Sequence, residues 1–252
     1  MTHFHWTTII AAVAVLAAVI FGHGETRTTQ IEAIVILYIV AFGLGMTFIS
    51  LQYFVPAIYR GGTGQKQIAL TFDDGPDPFS TPALLDLLKR ENVTATFFCI
   101  GRNVVAYPEI AKRIVDEGHL IGNHSHRHAW TLMFNRNRGL LREFGQAQDA
   151  ITRITGTTPT LLRPPVGMTN PHFPWLIKQL GVTVLAWDVR PLDTARPAKK
   201  VIRHVLKRAT DGSIVVLHDG GAPAEKITEI VGTLVKELRA KGYAFERVDR
   251  MI

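Results

Sequence analysis

Thr71-Phe72-Asp73-Asp74-Gly75-Pro76-Asp77-Pro78 is the stretch on which the fold turns. Just upstream, Gln67-Ile68-Ala69-Leu70-Thr71-Phe72 alternates and then runs apolar, the pattern of a core strand. Just downstream, Ser80 or Thr81 can cap a helix. Its first turn would take Pro82, and its buried face would be Leu84, Leu85, Leu87 and Leu88. A strand therefore breaks into a βα loop that carries two adjacent carboxylates. Successive strand side chains diverge, so one aspartate can bind a metal while the other handles a proton. Asp, Gly and Pro are also ordinary turn formers. A calcium loop is a poor fit, because the alternating ligands and closing glutamate are missing.

Working outward from this strand, apolar runs at 67–72, 94–100, 119–123, 160–163, 182–188, 213–217 and 243–248 alternate with helical patterns. The intervening helices end at Asn92, Gly118, Gly156, Gly181 and Gly242. Repeated βα units imply an α/β fold with a parallel sheet, and about seven strands in this length suggest a distorted (β/α) barrel. A doubly wound open sheet is the alternative. No glycine fingerprint for a dinucleotide and no phosphate-binding lysine loop is present, which argues against phosphate cofactors. Chemistry in such folds lies at the C-terminal ends of the strands, where Asp73 and Asp74, His124, Arg163, Asp188 to Asp193 and His218 all fall.

Gly122-Asn123-His124-Ser125-His126-Arg127-His128 places two histidines four apart. On a helical turn that spacing brings both imidazoles to one side and sends His126 elsewhere, to a groove or the surface. With Asp74 they make two histidines and a carboxylate, a set that fits catalytic Zn²⁺ and also other divalent metals. In Leu162-Arg163-Pro164-Pro165-Val166-Gly167 the prolines stiffen a loop, and Arg163 could hold a carboxylate by a two-pronged bond. Trp187-Asp188-Val189-Arg190-Pro191-Leu192-Asp193 offers a carboxylate near the same rim. His218, straight after the buried run Ile214-Val215-Val216-Leu217, titrates near neutrality and can act as a general acid.

The leader has a different character. Residues 1–65 hold Arg27, Arg60, Glu25 and Glu32 and are neutral, so the whole net charge of +7 falls on the rest of the 252-residue chain. A basic domain beside an apolar leader suits anionic membrane or cell-wall surroundings better than nucleic acid. Most of the basic residues read as solvated helix faces, as where Lys199, Lys200, Arg203, Lys207 and Arg208 oppose Val201, Ile202, Val205 and Leu206. The single Cys99 reads as a buried small hydrophobe. Residues 6–22 and 33–55 are uncharged and apolar and read as a transmembrane hairpin, the second ending in a Tyr53, Phe54, Tyr59 belt. The expected division is a membrane anchor over 1–60, a glycine-rich flexible linker over 61–66 and one domain over 67–252. Arg60 and Lys66 after the second span lean towards a cytoplasmic domain.

The five segments, in this order, resemble the NodB-homology polysaccharide deacetylases (carbohydrate esterase family 4). The likeness extends over 66–252 and includes Thr94-Ala95-Thr96-Phe97-Phe98 and Gly118-His119-Leu120-Ile121-Gly122-Asn123. It implies a distorted (β/α) barrel that removes N-acetyl groups from amino sugars with a divalent metal, facing outward from the membrane. Asp73 would be the catalytic base, and Asp74, His124 and His128 the metal ligands. Arg163 would orient the base, His218 would be the acid and Asp193 would tune it. The Pro165–Val166 loop would supply an oxyanion N–H. Three positions depart from the pattern: Val166 stands for a common tyrosine, Arg190 for an aspartate and Thr194 for a tryptophan. These departures bear on groove shape, and so on which glycan is the substrate. Deacylation of a polyprenyl-linked sugar at the membrane is the alternative reaction, and a non-catalytic glycan- or metal-binding membrane protein a third reading.

Overall fold

The computed structural model describes residues 2–252. An apolar pair of helices, α1 (His3–Phe21) and α2 (Gly24–Thr47), precedes a parallel α/β domain. The domain strands are β1 (Gln67–Asp73), β2 (Thr96–Cys99), β3 (Leu120–Asn123), β4 (Leu161–Leu162), β5 (Thr183–Val184), β6 (Ser213–His218) and β7 (Ala244–Phe245). Around them lie α3 (Ser80–Arg90), α4 (Gly101–Ala106), α5 (Pro108–Asp116), α6 (Asn137–Thr155), α7 (Phe173–Leu180), α8 (Ala198–Arg208) and α9 (Ala224–Ala240).

Every strand pairing is parallel, in the order β5-β4-β3-β2-β1-β6, with β7 added beside the start of β1. β1 is thus central rather than an edge, and the order follows the chain around a barrel, unlike that of a doubly wound sheet. The two ends of the sheet are joined by isolated bridges in place of a continuous ladder, Val189 to Val215 directly and Ile58 to Leu185 and Arg60 to Ser213 through the segment before β1, and this makes the barrel distorted. Burial on both faces explains the continuous apolar text of β1, where Ile68, Ala69, Leu70 and Phe72 are fully buried. Ile68, Leu70 and Phe72 pack with Leu84, Leu85 and Leu88 of α3 and Val231, Leu234 and Val235 of α9. Each large side chain of this kind contributes roughly 1.5–3 kcal/mol of transfer free energy. The expected helix stops are all present, with Gly156 and Gly181 capping α6 and α7 in the left-handed conformation. Cys99 is fully buried, and burial pushes its thiol well up.

The start of α3 differs from expectation. Neither Ser80 nor Thr81 caps it. Instead Asp77 Oδ1 accepts from the N–H groups of Phe79 and Ser80, each at 2.9 Å. The Ser80 hydroxyl turns inward to the Asp219 carbonyl and the Thr81 hydroxyl donates to Asp219 Oδ2 at 2.6 Å. These two hydroxyls pin α3 to the end of β6.

The second apolar helix also differs. α2 starts at Gly24 and ends at Thr47, so Tyr53, Phe54 and Val55 are not part of it. The chain then folds back onto the domain: Tyr53, Phe54, Val55 and Ala57 are buried, Ile58 N–H donates to Val184 O at 3.0 Å, and Ala186 N–H to Ile58 O at 2.7 Å. Gly45 admits the Tyr53 ring, since a Cβ there would lie 2.2 Å from Tyr53 Cδ1. The glycines expected as a flexible tether are tied down. Gly61 N–H donates to Gly212 O at 2.8 Å, Gly62 N–H to Met251 O at 2.6 Å, and Arg60 pairs with Asp188 at 2.8 Å.

Candidate active site

Residues from the C-terminal ends of β1, β3, β4 and β6 and from the segment after β5 converge on one rim. Parallel register puts Asp73 level with His218 on the neighbouring strand, and Asn123, just before His124, level with Leu162, just before Arg163. Five segments distant in the chain meet because each follows a strand of the same sheet.

Asp74 leaves β1 with φ 76, a left-handed turn that swings its carboxylate away from that of Asp73. Its Oδ1 lies 3.4 Å from His124 Nε2 and 3.1 Å from His128 Nε2. The three ligand atoms lie within 4.8 Å of one another. The sequence spacing suggested a helical turn for the two histidines. In fact β3 ends at Asn123 and the rings meet across a loop in which Ser125 (φ 64) and His128 (φ 55) are both left-handed. Asn123 and Ser125 hold that loop, through Ser125 N–H to Asn123 Oδ1 and His128 N–H to Ser125 Oγ. His126 packs against Gly101 with its Nδ1 buried, and not in a groove or on the surface.

The donor set fits a divalent cation. Asp74 Oδ1 is buried without a hydrogen-bond partner, a costly arrangement for a carboxylate oxygen unless a cation meets it. His124 Nδ1 donates to the Arg163 carbonyl at 2.7 Å, which fixes the tautomer and leaves Nε2 as a lone-pair donor towards Asp74. Burial pushes the Asp74 carboxyl up, but the facing His124 and the charges of His128 and His218 outweigh it and hold it at about 2. His128 is held below its ordinary value, first by burial and then by His124.

Beside this cluster sits a buried ion pair. Arg163, with no solvent exposure, donates from Nη1 to Asp73 Oδ1 at 2.7 Å and to Thr71 Oγ1 at 2.8 Å, and from Nη2 to the Ala186 carbonyl at 2.9 Å. Its guanidinium lies 4.2 Å from the centre of the Phe98 ring. The bond to Asp73 is therefore single rather than two-pronged, because the rest of the fork is spent on Thr71 of the same strand and on the carbonyl of Ala186 just past β5. Asp73 Oδ2 is 4.0 Å from His124 Nε2, on the cluster side.

His218 closes the other side. Asp193 accepts twice from it, from the backbone N–H at 2.8 Å and from Nδ1 at 2.9 Å. Burial would lower the imidazole, but the Asp193 bond and the charge of Asp73 raise it to about 9. Asp188, expected near the same rim, is at the opposite end of β6. It accepts from Ser213 Oγ, Ile214 N–H and Arg60, all at 2.8 Å, and serves as a structural anchor. Pro165 is buried, while Val166 is exposed at the rim with φ 58, an uncommon and strained conformation for a β-branched residue.

One group of this rim escaped the sequence reading. Asp219 is fully buried under the Asp73–Asp74 turn, and a Cβ on Gly75 would lie 2.2 Å from its Oδ2. Burial drives its carboxyl up to about 7, against the Thr81 hydrogen bond. The signal was available in a carboxylate placed straight after a strand-end histidine.

The chain is similar to the peptidoglycan-N-acetylglucosamine deacetylase PgdA of Listeria monocytogenes, 38% identical over 199 residues. The match takes 78% of this chain but only 41% of that protein. A peptidoglycan-N-acetylglucosamine deacetylase of Bacillus cereus is 37% identical over 191 residues, 75% of this chain and 89% of that one. The crystal structure of the Bc1960 peptidoglycan N-acetylglucosamine deacetylase superposes with a TM-score of 0.73 at 31% identity, covering 78% of this chain and 92% of that one. Residues 60–185 match the family model described as polysaccharide deacetylase, and the chain belongs to that family.

Proposed function

We propose that the protein is a metal-dependent N-deacetylase of a cell-surface glycan, with peptidoglycan N-acetylglucosamine the first candidate substrate. The observation that carries this reading is the one rim on which a partnerless Asp74 oxygen, two facing imidazoles, an arginine-held Asp73 and an aspartate-held His218 stand together. A divalent cation held by Asp74, His124 and His128, with Zn²⁺ the best match to this donor set, would supply Lewis-acid polarisation and acidify water.

The rest of the chemistry belongs to the chain's own side chains. Asp73, fixed by Arg163 and unable to rotate away, accepts the proton of the attacking water. The backbone at Pro165–Val166 lines the position where negative charge develops on the acetyl oxygen, and Val166 N–H is the donor for it. His218, kept cationic at neutral pH by Asp193, gives its proton to the leaving nitrogen, which departs as an amine. A protein that only binds a glycan or a metal would have no use for the buried Asp193–His218 pair.

α1 and α2 are read as a membrane anchor. At 1.5 Å per residue they are about 28 and 36 Å long, the first just short of and the second beyond a hydrocarbon core of roughly 30 Å, and both of the length that spanning helices have. They expose Ile10, Phe21, Ile36, Leu37 and Ile39 to their surroundings. We read the domain as facing outward, a reading that the peptidoglycan named for its relatives supports. Deacylation of a polyprenyl-linked sugar is kept as a second reading because the last turn of α2 touches the rim loop, through Thr169 N–H to Met46 O at 3.1 Å.

The test is release of acetate and free amine by the full chain in detergent with added Zn²⁺, using peptidoglycan fragments, chitin oligomers and a polyprenyl-linked N-acetyl sugar in parallel. Acetate from a glycan supports the reading. Acetate from the lipid-linked sugar alone would replace it with the second, and none from any would overturn both.

A further inference from the structure

Two buried polar residues of the rim loop join parts of the molecule that the proposed chemistry does not connect. Thr169 N–H donates to the Met46 carbonyl in the last turn of α2. Asn170, next in the chain and 3% exposed, spends both amide hydrogens on a neighbouring segment, donating to Met133 O and Asn135 O at 2.9 Å each. That segment is a 3-10 turn, Trp130–Phe134, beginning just after His128 and packing against the Pro165–Gly167 turn. The end of α2, the rim loop and this turn are therefore bolted into one piece.

The outer surface of that piece is apolar. Trp130 is 66% and Phe134 68% exposed, their rings in an edge-to-face pair 6.3 Å apart. Val166 on the adjoining turn and Phe48 and Leu51 just past α2 are exposed as well. Single exposed apolar side chains are ordinary, but a tryptophan and a phenylalanine exposed as a ring pair beside the Pro165–Gly167 turn are not. Arg136 and Arg138 follow directly and are exposed. Aromatic rings beside basic side chains, continuous with the exit of an apolar helix, are what an anionic bilayer interface binds.

The geometry points to a second membrane contact: the Trp130–Phe134 ridge, with Arg136 and Arg138, lies on the anionic lipid surface beside the exit of α2 and holds the active-site rim against the bilayer. This rests on reading α1 and α2 as an anchor. The occupant is lipid rather than protein because the ridge is tied through Asn170 and Thr169 to the end of α2, and α1 and α2 already expose apolar side chains along their length. With the ridge seated, the site is confined to glycan lying at the membrane surface, and distant layers of a wall are out of its reach.

Buried Cys99 leaves introduced thiols as the reactive ones. Full-length Trp130→Cys, Phe134→Cys, Leu37→Cys on α2 and Lys236→Cys on α9 are each labelled with a polarity-sensitive fluorophore in nanodiscs of phosphatidylglycerol and phosphatidylcholine. The labels at 130 and 134 are expected to shift to the blue and to lose about half their emission to brominated acyl chains. Label 37 should behave likewise and label 236 should not, and neutral lipid should weaken the effect at 130 and 134 about twofold. If 130 and 134 instead respond to aqueous iodide as 236 does while 37 reports lipid, the ridge contact is wrong and the anchor stands. If 37 also reads water, both are wrong. Protection of 130 by chitin oligomers in place of lipid would reassign the ridge as a sugar-stacking wall and overturn the proposal.

Discussion

Arg163 Nη1 lies 2.7 Å from Asp73 Oδ1, and both side chains are almost wholly withdrawn from water. The same arginine's carbonyl accepts from His124 Nδ1, so one residue sets both the proton acceptor and a proposed ligand. Removing one partner of such a pair leaves a buried charge unmatched. Arg163→Ala is expected to lose about 3–5 kcal/mol of stability in urea denaturation. Arg163→Lys, which keeps the charge but not the fork, should fold better yet lose at least about tenfold in kcat, with KM little changed.

The pH dependence follows from the Asp193–His218 pair. The acid must be protonated to work, and its value of about 9 leaves it so at neutral pH. Activity should therefore fall as pH rises through the alkaline limb. In Asp193→Asn the bond that raises the imidazole is weakened, so the limb should move to lower pH by about one unit or more. A limb that stays in place would separate His218 from the proton transfer.

Metal binding has a readout independent of turnover. Zn²⁺ that binds only the folded state raises the melting temperature by mass action. The full chain should show that rise, and His124→Ala and His128→Ala should show little of it. Chelation should abolish acetate release and leave the circular dichroism of the domain unchanged, since the core beneath β1 is apolar and continuous without the ion.

His119 gives the domain an acid limit away from the site. Its Nδ1 accepts from Ala95 N–H at 3.1 Å, and burial lowers the imidazole to about 4. The unfolded chain, with an ordinary imidazole, binds the proton first as pH falls. Stability from this group is complete above about 6.5 and is lost between there and about 4, on the order of 3 kcal/mol in all. Urea midpoints should fall across that window, and His119→Asn, which can still accept from Ala95, should flatten the slope.

Gly75 and Asp219 test how the two aspartates are positioned. A Cβ at Gly75 meets buried Asp219, so Gly75→Ala must displace the Asp73–Asp74 turn or the end of β6. Activity should drop by about tenfold or more for a destabilisation of roughly 1–3 kcal/mol. Pairing it with Asp219→Ala, which clears the space, should recover part of the lost stability.

Much of this was readable in the sequence. The continuous apolar text of β1, the glycine and asparagine stops and the polar residues after each run fix a parallel barrel and its working end. Asp73, Asp74, His124, Arg163 and His218 could be found because each lies within the first two polar positions where a buried run ends. Local spacing failed where the backbone left regular geometry. The His124–His128 pair is made by two left-handed residues and not by a helix. Asp188 and Asp193 stand close in the chain yet at opposite ends of β6. Hydropathy also missed that residues after Thr47 leave α2 to pack in the domain, since burial in protein and in lipid select the same side chains. Asp219 was overlooked because its partners, Ser80 and Thr81, read as helix caps.

The most direct measurement is on Asp73→Asn, assayed at once for bound Zn²⁺ and for acetate released from a purified N-acetylated glycan. The substitution keeps the shape of the side chain and removes its ability to accept a proton. Expected are an undiminished Zn²⁺ stoichiometry and almost no acetate. Turnover at the unmodified rate, or loss of the metal together with activity, would contradict the division of labour between Asp73 and Asp74 on which the mechanism depends.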